Sequence, residues 1–346
     1  FELRLSGFYR EHDYLAQFGE TDLAFVSRLA EQAGISFTFE RHGDHECVVL
    51  TDDNRFRDAR QELKVPYRSR GELCDVFRLE AAANLAPTLV LVGDYNYRAP
   101  QPLLSGSYEL PKGTGGGTIE FGGHLRTEEE ATSLAKIRGE ELECRRFQYR
   151  GESDRPELAA GLMFTLTDHP YLGDVELLVV EVEHAIEQPA RGTGTGALAY
   201  CNRFRAIPAA TPHRPERVTP VPKVAGLRGG VVLPMPGGSD TQPWIDEAGR
   251  YRVRLFFDTL GGRQGGGASR PMRLVQAHAG PGYGIHFPLR PGTEVIVGFI
   301  NGNVDRPILL GAAPNTVSES PVTDKSALHH RIRTASGVTL EFEDGS

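Results

Sequence analysis

No apolar run in the 346-residue sequence approaches the roughly 18 residues of a membrane span. The longest, TLVLVG and ELLVVEV, are strand-sized, so no stable membrane insertion is expected. Positive charge is not in excess either: 38 Lys and Arg stand against 46 Asp and Glu, for a net charge of -8. Non-specific nucleic-acid binding rests on neutralising phosphates, so no nucleic-acid partner is expected. Cysteine is scarce. Cys47, Cys74, Cys144 and Cys201 lie far apart and share no metal or redox spacing, which favours a reducing compartment over a disulfide framework. The chain has one tryptophan, Trp244, opens on Phe1 with no Met or signal-peptide pattern, and stops at EFEDGS. Both ends read as cuts through a larger protein.

What is present divides the chain into zones. Residues 1–207 mix strands with two helical segments. In TDLAFVSRLAEQAG, Thr21 is placed to cap a helix, Gly34 to end it, and Phe25, Val26, Leu29 and Ala33 fall on one stripe. In TEEEATSLAKIRGEELECRRF, Thr127 and Glu130 make a capping box with an acidic first turn. Alternating strands surround them, including ISFTFE, CVVLTD and DVELLVVEVEH, which predicts an α+β or barrel-like domain. Prolines 208, 212, 215, 220 and 222 forbid regular helix and predict an extended interdomain linker over 208–222. From 223 to 315 the pattern is all-β, about five short strands with Gly-rich turns, which fits a small OB-type barrel. Residues 316–346 end in RIRTASGVTLEFEDGS, which alternates Val338, Leu340 and Phe342 with polar positions.

Candidate chemistry is thin. His42, His45 and Cys47 in HGDHEC are metal-ligand types, yet strand patterns flank them, so Gly43-Asp44 reads as a hairpin turn. A metal there would need a further ligand from elsewhere. KGTGGGT lacks a P-loop ending, RGTGTGALAY lacks the strand and helix of a dinucleotide fingerprint, and GGRQGGGAS has no phosphate-binding lysine; all three read as loops. Asp168, His169 and Asp174 in TDHPYLGD are explained as well by a turn as by chemistry, and His329-His330 reads as a solvated pair. No Ser/His/Asp order stands out. The reading is therefore no catalytic residue, no cofactor and no metal.

Motifs carry more than composition does. Tyr14, Gln17, Phe18, Asp22, Phe25, Val26, Arg28 and Leu29 resemble the hub of the VgrG family, the spike proteins of type VI secretion systems. DEAGRYRVRLFFD, and GYGIHFPLRPGTEVIVGFINGNVDRPILLGAAPN with its Gly292, Glu294, Val295, Gly302, Asp305, Arg306, Pro307, Gly311 and Asn315, resemble that family's barrel. RIRTASGVTLEFEDGS is similar to the start of its β-helical needle. Phe256-Phe257, Met272 and His278 stand where the family often carries aromatic residues of another kind, which leaves the subfamily open, including the spikes of extracellular injection systems. The resemblance implies a mainly β protein: a phage-hub-like α+β domain lacking its first portion, then an OB barrel, then the needle.

The same resemblance implies a function. It is a homotrimer that caps a hexameric tube protein of Hcp type, carries a PAAR-type tip and effector proteins, with an adaptor or chaperone possible. It would assemble in the bacterial cytoplasm and be injected into a target cell on firing. Two alternatives stand beside it: a spike-linked cell-wall hydrolase or effector whose catalytic domain lies beyond Ser346, and an OB module binding nucleic acid or sugar, which would need an aromatic or basic platform. The nine barrel residues are expected to lock a hairpin, with Asp305 accepting from turn amides, Arg306 reaching across the turn, and Pro307 entering the strand where no ladder donor is needed. The C-terminal segment is expected to order only with partners. Its few apolar groups, at about 1.5–3 kcal/mol each, fall short of about 1–2 kcal/mol of backbone entropy per residue.

Overall fold

The computed structural model describes residues 1–57, 63–69, 75–187, 199–258 and 270–345. RGTGTGALAY lies mostly, and GGRQGGGAS wholly, outside the described residues, as does Cys74. Two compact units emerge: Phe1–Tyr9 with Asp22–Pro220, and Arg10–Thr21 with Val221–Ser346.

In the first unit, β1 (Glu2–Arg4), β2 (Ser36–His42) and β3 (His45–Thr51) form a sheet of order β1-β3-β2. His42 pairs with His45 around Gly43, whose φ is +64°, so the hairpin turn expected at Gly43-Asp44 is there. Helix α1 (Asp22–Ala33) ends at Gly34, φ +69°, with Ile35 N–H donating to Ala30 O at 2.8 Å. That is the six-to-one bond of a left-handed glycine cap. The helix does not bury the expected stripe. Ser27, Arg28, Ala30 and Glu31 are buried while Val26 is 49% exposed, because Glu31 takes the backbone N–H and hydroxyl of Thr219 at 2.9 and 2.6 Å.

Strands β4 (Lys64–Pro66), β5 (Val76–Ala83), β9 (Phe147–Ser153), β10 (Met163–His169), β11 (Gly173–Glu187) and β12 (Ala199–Pro208) build a sheet of order β4-β10-β11-β12-β9-β5. A bridge between Tyr67 and Val76 joins its two edges, so the sheet curls round a core that includes Leu158, Leu166, Leu177 and Val179. The acid and histidine of TDHPYLGD sit in the β10–β11 turn, where His169 Nδ1 accepts from the amides of Tyr171 and Leu172; they make a turn.

Strands β6 (Leu89–Asp94), β7 (Leu104–Glu109) and β8 (Gly117–Phe121) form a third sheet, order β7-β6-β8, against α2 (Glu128–Arg146). Thr127 caps α2, its Oγ1 accepting from Glu130 N at 3.2 Å, and Glu130 accepts from Arg126 N at 2.8 Å. Gly106 on β7 lies directly under the helix: a Cβ there would overlap the backbone of Ala131 and Thr132.

The second unit holds β13 (Arg228–Val232), β14 (Val253–Leu255), the two-residue β15 (Ala279–Gly280) and β16 (Tyr283–Gly284), β17 (Glu294–Phe299) and β18 (Pro307–Ala312). The main sheet has order β14-β13-β17-β18. The expected strand PMRLVQA is reduced to bridges, Met272 to Tyr251 and Leu274 to Leu309. Those bridges link the β18 edge back to the chain before β14, closing a small barrel over Val232, Val253, Val295, Val297 and Leu309.

The last segment, where the sequence shows alternation, is a hairpin of β19 (His329–Arg333) and β20 (Thr339–Glu343). Thr334 accepts the amides of Gly337 and Val338 at the turn, a turn chemistry the alternation alone hid. One face carries Ile332, Leu340 and Phe342, all exposed. The other is ion-paired, with Glu341 accepting from Arg331 and His329; His329 is a partner there, not a free solvated ring.

Gly106→Ala should lower stability by about 1–3 kcal/mol, toward the upper end because helix backbone must move. Gly93→Ala on the neighbouring strand, whose Cβ would meet its nearest atoms at 3.4 Å, should be nearly neutral. Denaturant midpoints of the two variants check this.

Candidate interaction site and hub clamp

The hairpin between β17 and β18 is held by bonds within its own turn. Asn301 and Gly302 take φ of 55° and 71° to reverse the chain. Asn303 serves the turn: its Oδ1 accepts Asp305 N at 2.9 Å, and its carbonyl accepts Arg306 N at 2.9 Å. The carbonyl of Arg306 accepts Ile300 N at 3.0 Å. Pro307 is buried and opens β18 opposite Phe299.

The Asp305 carboxylate, 7% exposed, accepts the backbone N–H of Ala16 at 2.8 Å, and its carbonyl accepts from Arg270 at 3.0 Å. Residues 10–21 thus belong to the barrel unit. Phe18 stands edge-on to Phe257, ring centroids 5.1 Å apart, with the Arg228 guanidinium 5.8 Å from the Phe18 ring. Burial pushes the Tyr14 hydroxyl up to about 12, and the charges of Asp305 and Asp258 add to it. Nothing in the local pattern around Ala16 announces this, because a backbone donor has no side-chain signature.

The remaining motif residues are structural in placement. Gly292, φ +82°, donates to Val232 O at 3.0 Å. Val295 is fully buried. Glu294 accepts from the Asn315 side chain at 2.9 Å, while Asn315 Oδ1 accepts from Val317 and Ser318 amides. Gly311 pairs with Ile296 where the β17–β18 register shifts, as at a β-bulge.

A second constellation lies in the first unit, on the stretch expected to be a free linker. The prolines do keep it extended, but its polar groups tie 209–219 down. Arg214 reaches Glu140 at 2.7 Å and the carbonyls of Gly34 and Asp52 at 3.1 and 2.9 Å. Arg217 reaches Glu141 and Glu120 at 3.0 and 2.8 Å. Asn54 donates to the carbonyls of Ala209 and Thr211. His213 Nδ1 lies 2.7 Å from Arg57 Nη2. Burial, then the charges of Arg57, Arg214 and Arg205, holds the His213 imidazole well below its ordinary value. Burial also brings Arg57 down to about 10 and pushes the Cys144 thiol up to about 11, so Cys144 is a packed thiol that bonds Pro212 O, not a nucleophile.

Among the described residues, Glu2, His42 and Cys47 can bring one ligand atom each within 4.8 Å of one another, while His45 stays outside that group. The chemistry on display is that of docking and clamping.

Two outcomes follow. Asp305→Ala should cost about 1–3 kcal/mol, since it removes the charged acceptor of a half-buried amide, and an unchanged melting midpoint would show that Ala16 does not need the carboxylate. A base whose folded pKa is depressed leaves the unfolded chain binding more protons below its ordinary value near 6.5. His213 therefore contributes stability above about pH 6.5 that is lost progressively on acidification below it. His213→Gln should flatten the stability curve between pH 7 and 5.

Residues 1–190 match the family model described as phage tail baseplate hub, and residues 239–313 match the type VI secretion system/phage-baseplate injector OB domain. The chain is 30% identical over 333 residues to the type VI secretion system spike protein VgrG1c of Pseudomonas aeruginosa, covering 93% of this chain and 45% of that protein. It is 26% identical to the actin cross-linking toxin VgrG1 of Vibrio cholerae, covering 99% of this chain and 32% of that protein. The fold resembles that of the E. coli c3393 protein, a component of the type VI secretion system similar to the T4 tail proteins gp27 and gp5, with TM-score 0.61, 24% identity, and 90% and 66% of the two chains covered. The chain thus spans less than half the length of the curated relatives named here. Hub first, injector barrel second, on a mainly β chain: the protein belongs to the phage tail baseplate hub family, in its VgrG spike branch.

Proposed function

We propose that this chain is the hub and barrel part of a structural, non-enzymatic spike in a type VI contractile injection system, acting as a homotrimer. The observation that carries the reading is the order of modules, a baseplate hub over 1–190 and an injector barrel over 239–313, matched along 93% of the chain by a secretion-system spike.

Two exposed apolar faces support assembly. On the β1-β3-β2 sheet, Leu3, Phe37 and Phe39 share a face by register and are 58%, 37% and 65% exposed. On the β19–β20 hairpin, Ile332, Leu340 and Phe342 are 46%, 53% and 63% exposed. An isolated two-stranded hairpin is marginal in water at best, and identical hairpins from neighbouring copies would cover that face under closed symmetry. In this reading 316–346 begins the needle, one end of the trimer meets a hexameric tube protein, and the needle carries a tip protein and effectors into the target cell. Among the described residues no helix is long and apolar enough to cross a membrane. The toxin activity named for the Vibrio relative belongs to a protein of which this chain covers 32%.

Light scattering of the purified chain, with its tail, should report three copies. A stable monomer whose β19–β20 hairpin resists hydrogen exchange would overturn the reading.

A further inference from the structure

His42 and Cys47 flank a hairpin turn and need a third ligand to hold a metal. The fold brings one from the first strand of the chain. Glu2 pairs with Val49, and Glu40 pairs with Cys47. Because side chains alternate across a strand, Glu2, Cys47, Glu40 and His42 all project from one face, donated by three adjacent strands.

We propose that Glu2, His42 and Cys47 form a zinc site that clips the three-residue strand β1 to the β2–β3 hairpin. Their ligand atoms lie within 4.8 Å of one another. Tetrahedral zinc, with bonds of about 2.0–2.3 Å, holds its ligand atoms about 3.3–3.8 Å apart. Closing the difference takes rotation of the Glu2 and His42 side chains, which are 44% and 51% exposed and held here by Arg4 and Glu40 respectively. Thiolate, imidazole and carboxylate are the donor set of borderline-soft zinc, not of magnesium or calcium. A water completes the fourth position.

The charges also balance. Arg4 donates to Glu2 Oε2 at 2.8 Å and to both oxygens of Glu40 at 2.9 and 2.8 Å. Without metal, one guanidinium serves two carboxylates. On binding, the Cys47 thiol loses its proton to solvent, so Glu2, Glu40 and the thiolate offset Arg4 and the dication. Glu40 stays on Arg4, and it also lies 3.2 Å from His42 Nε2, where it can orient the ring as an outer partner. The strand β1 has only three residues in the ladder, so a metal bond to Glu2 adds a tether where the backbone offers little.

The test uses the full chain, freed of any affinity tag and kept reduced, titrated with zinc chloride in a calorimeter. One equivalent should bind, magnesium chloride should give no heat, and cobalt(II) in place of zinc should show thiolate-to-metal charge-transfer absorption. Cys47→Ser and His42→Ala should each abolish binding and the cobalt band, while their metal-free melting midpoints stay at the parent value because both side chains lie at the sheet surface. Absence of saturable zinc binding, or one equivalent retained in Cys47→Ser, would overturn the site. Glu2→Gln gives a second arm: cobalt absorption unchanged in that variant would remove Glu2 from the ligand set and with it the clip.

Discussion

A carboxylate held at 7% exposure must be given donors or lose its charge, and Asp305 is given the backbone amide of Ala16, 289 positions away in the chain. That bond, with the Phe18–Phe257 and Arg228–Phe18 contacts, ties the segment 10–21 to the barrel unit. The chain leaves the hub after Tyr9, joins the barrel, returns to the hub at Asp22, and crosses to the barrel for good after Pro220. Three covalent passages therefore connect the units where a simple tandem arrangement would have one.

The connection itself is short of slack on the hub side. Arg214 and Arg217 ion-pair with Glu140, Glu141 and Glu120, and Thr219 is held by Glu31. Glu140 and Glu141 have side chains only 8% and 4% exposed, and each is also paired within α2, Glu140 with Lys136 and Glu141 with Arg145 and Arg138, so removing one arginine would weaken a buried charge network rather than empty it. His213 completes the clamp as a neutral ring among cations. Prolines set the extended shape, and the arginines decide where it lies.

Much of this was legible in residue pattern, and the part that was not has a common cause. The β2–β3 hairpin follows from alternation around Gly43, the end of α1 from Gly34, and the start of α2 from Thr127 and Glu130, because each is a local signal read within a few residues. The barrel motif was recognisable as a whole, yet the bonds that Asn303 makes within the turn and the bond from Ala16 to Asp305 were not. The clamp, the docking of 10–21, and the convergence of Glu2 on His42 and Cys47 all rest on partners tens to hundreds of residues apart. Helix α1 misled for the same reason: its apolar stripe is real, but a distant threonine and its amide draw the polar side inward.

The claim on which this account turns is that residues 10–21 are part of the barrel and not of the hub. Native-state hydrogen exchange measured amide by amide tests it without any substitution. Ala16 should be protected to the same degree as the β17–β18 ladder and should open together with it as denaturant is raised. Exchange of Ala16 at the rate of an unstructured chain, or opening that tracks α2 and the hub sheet instead, would contradict it.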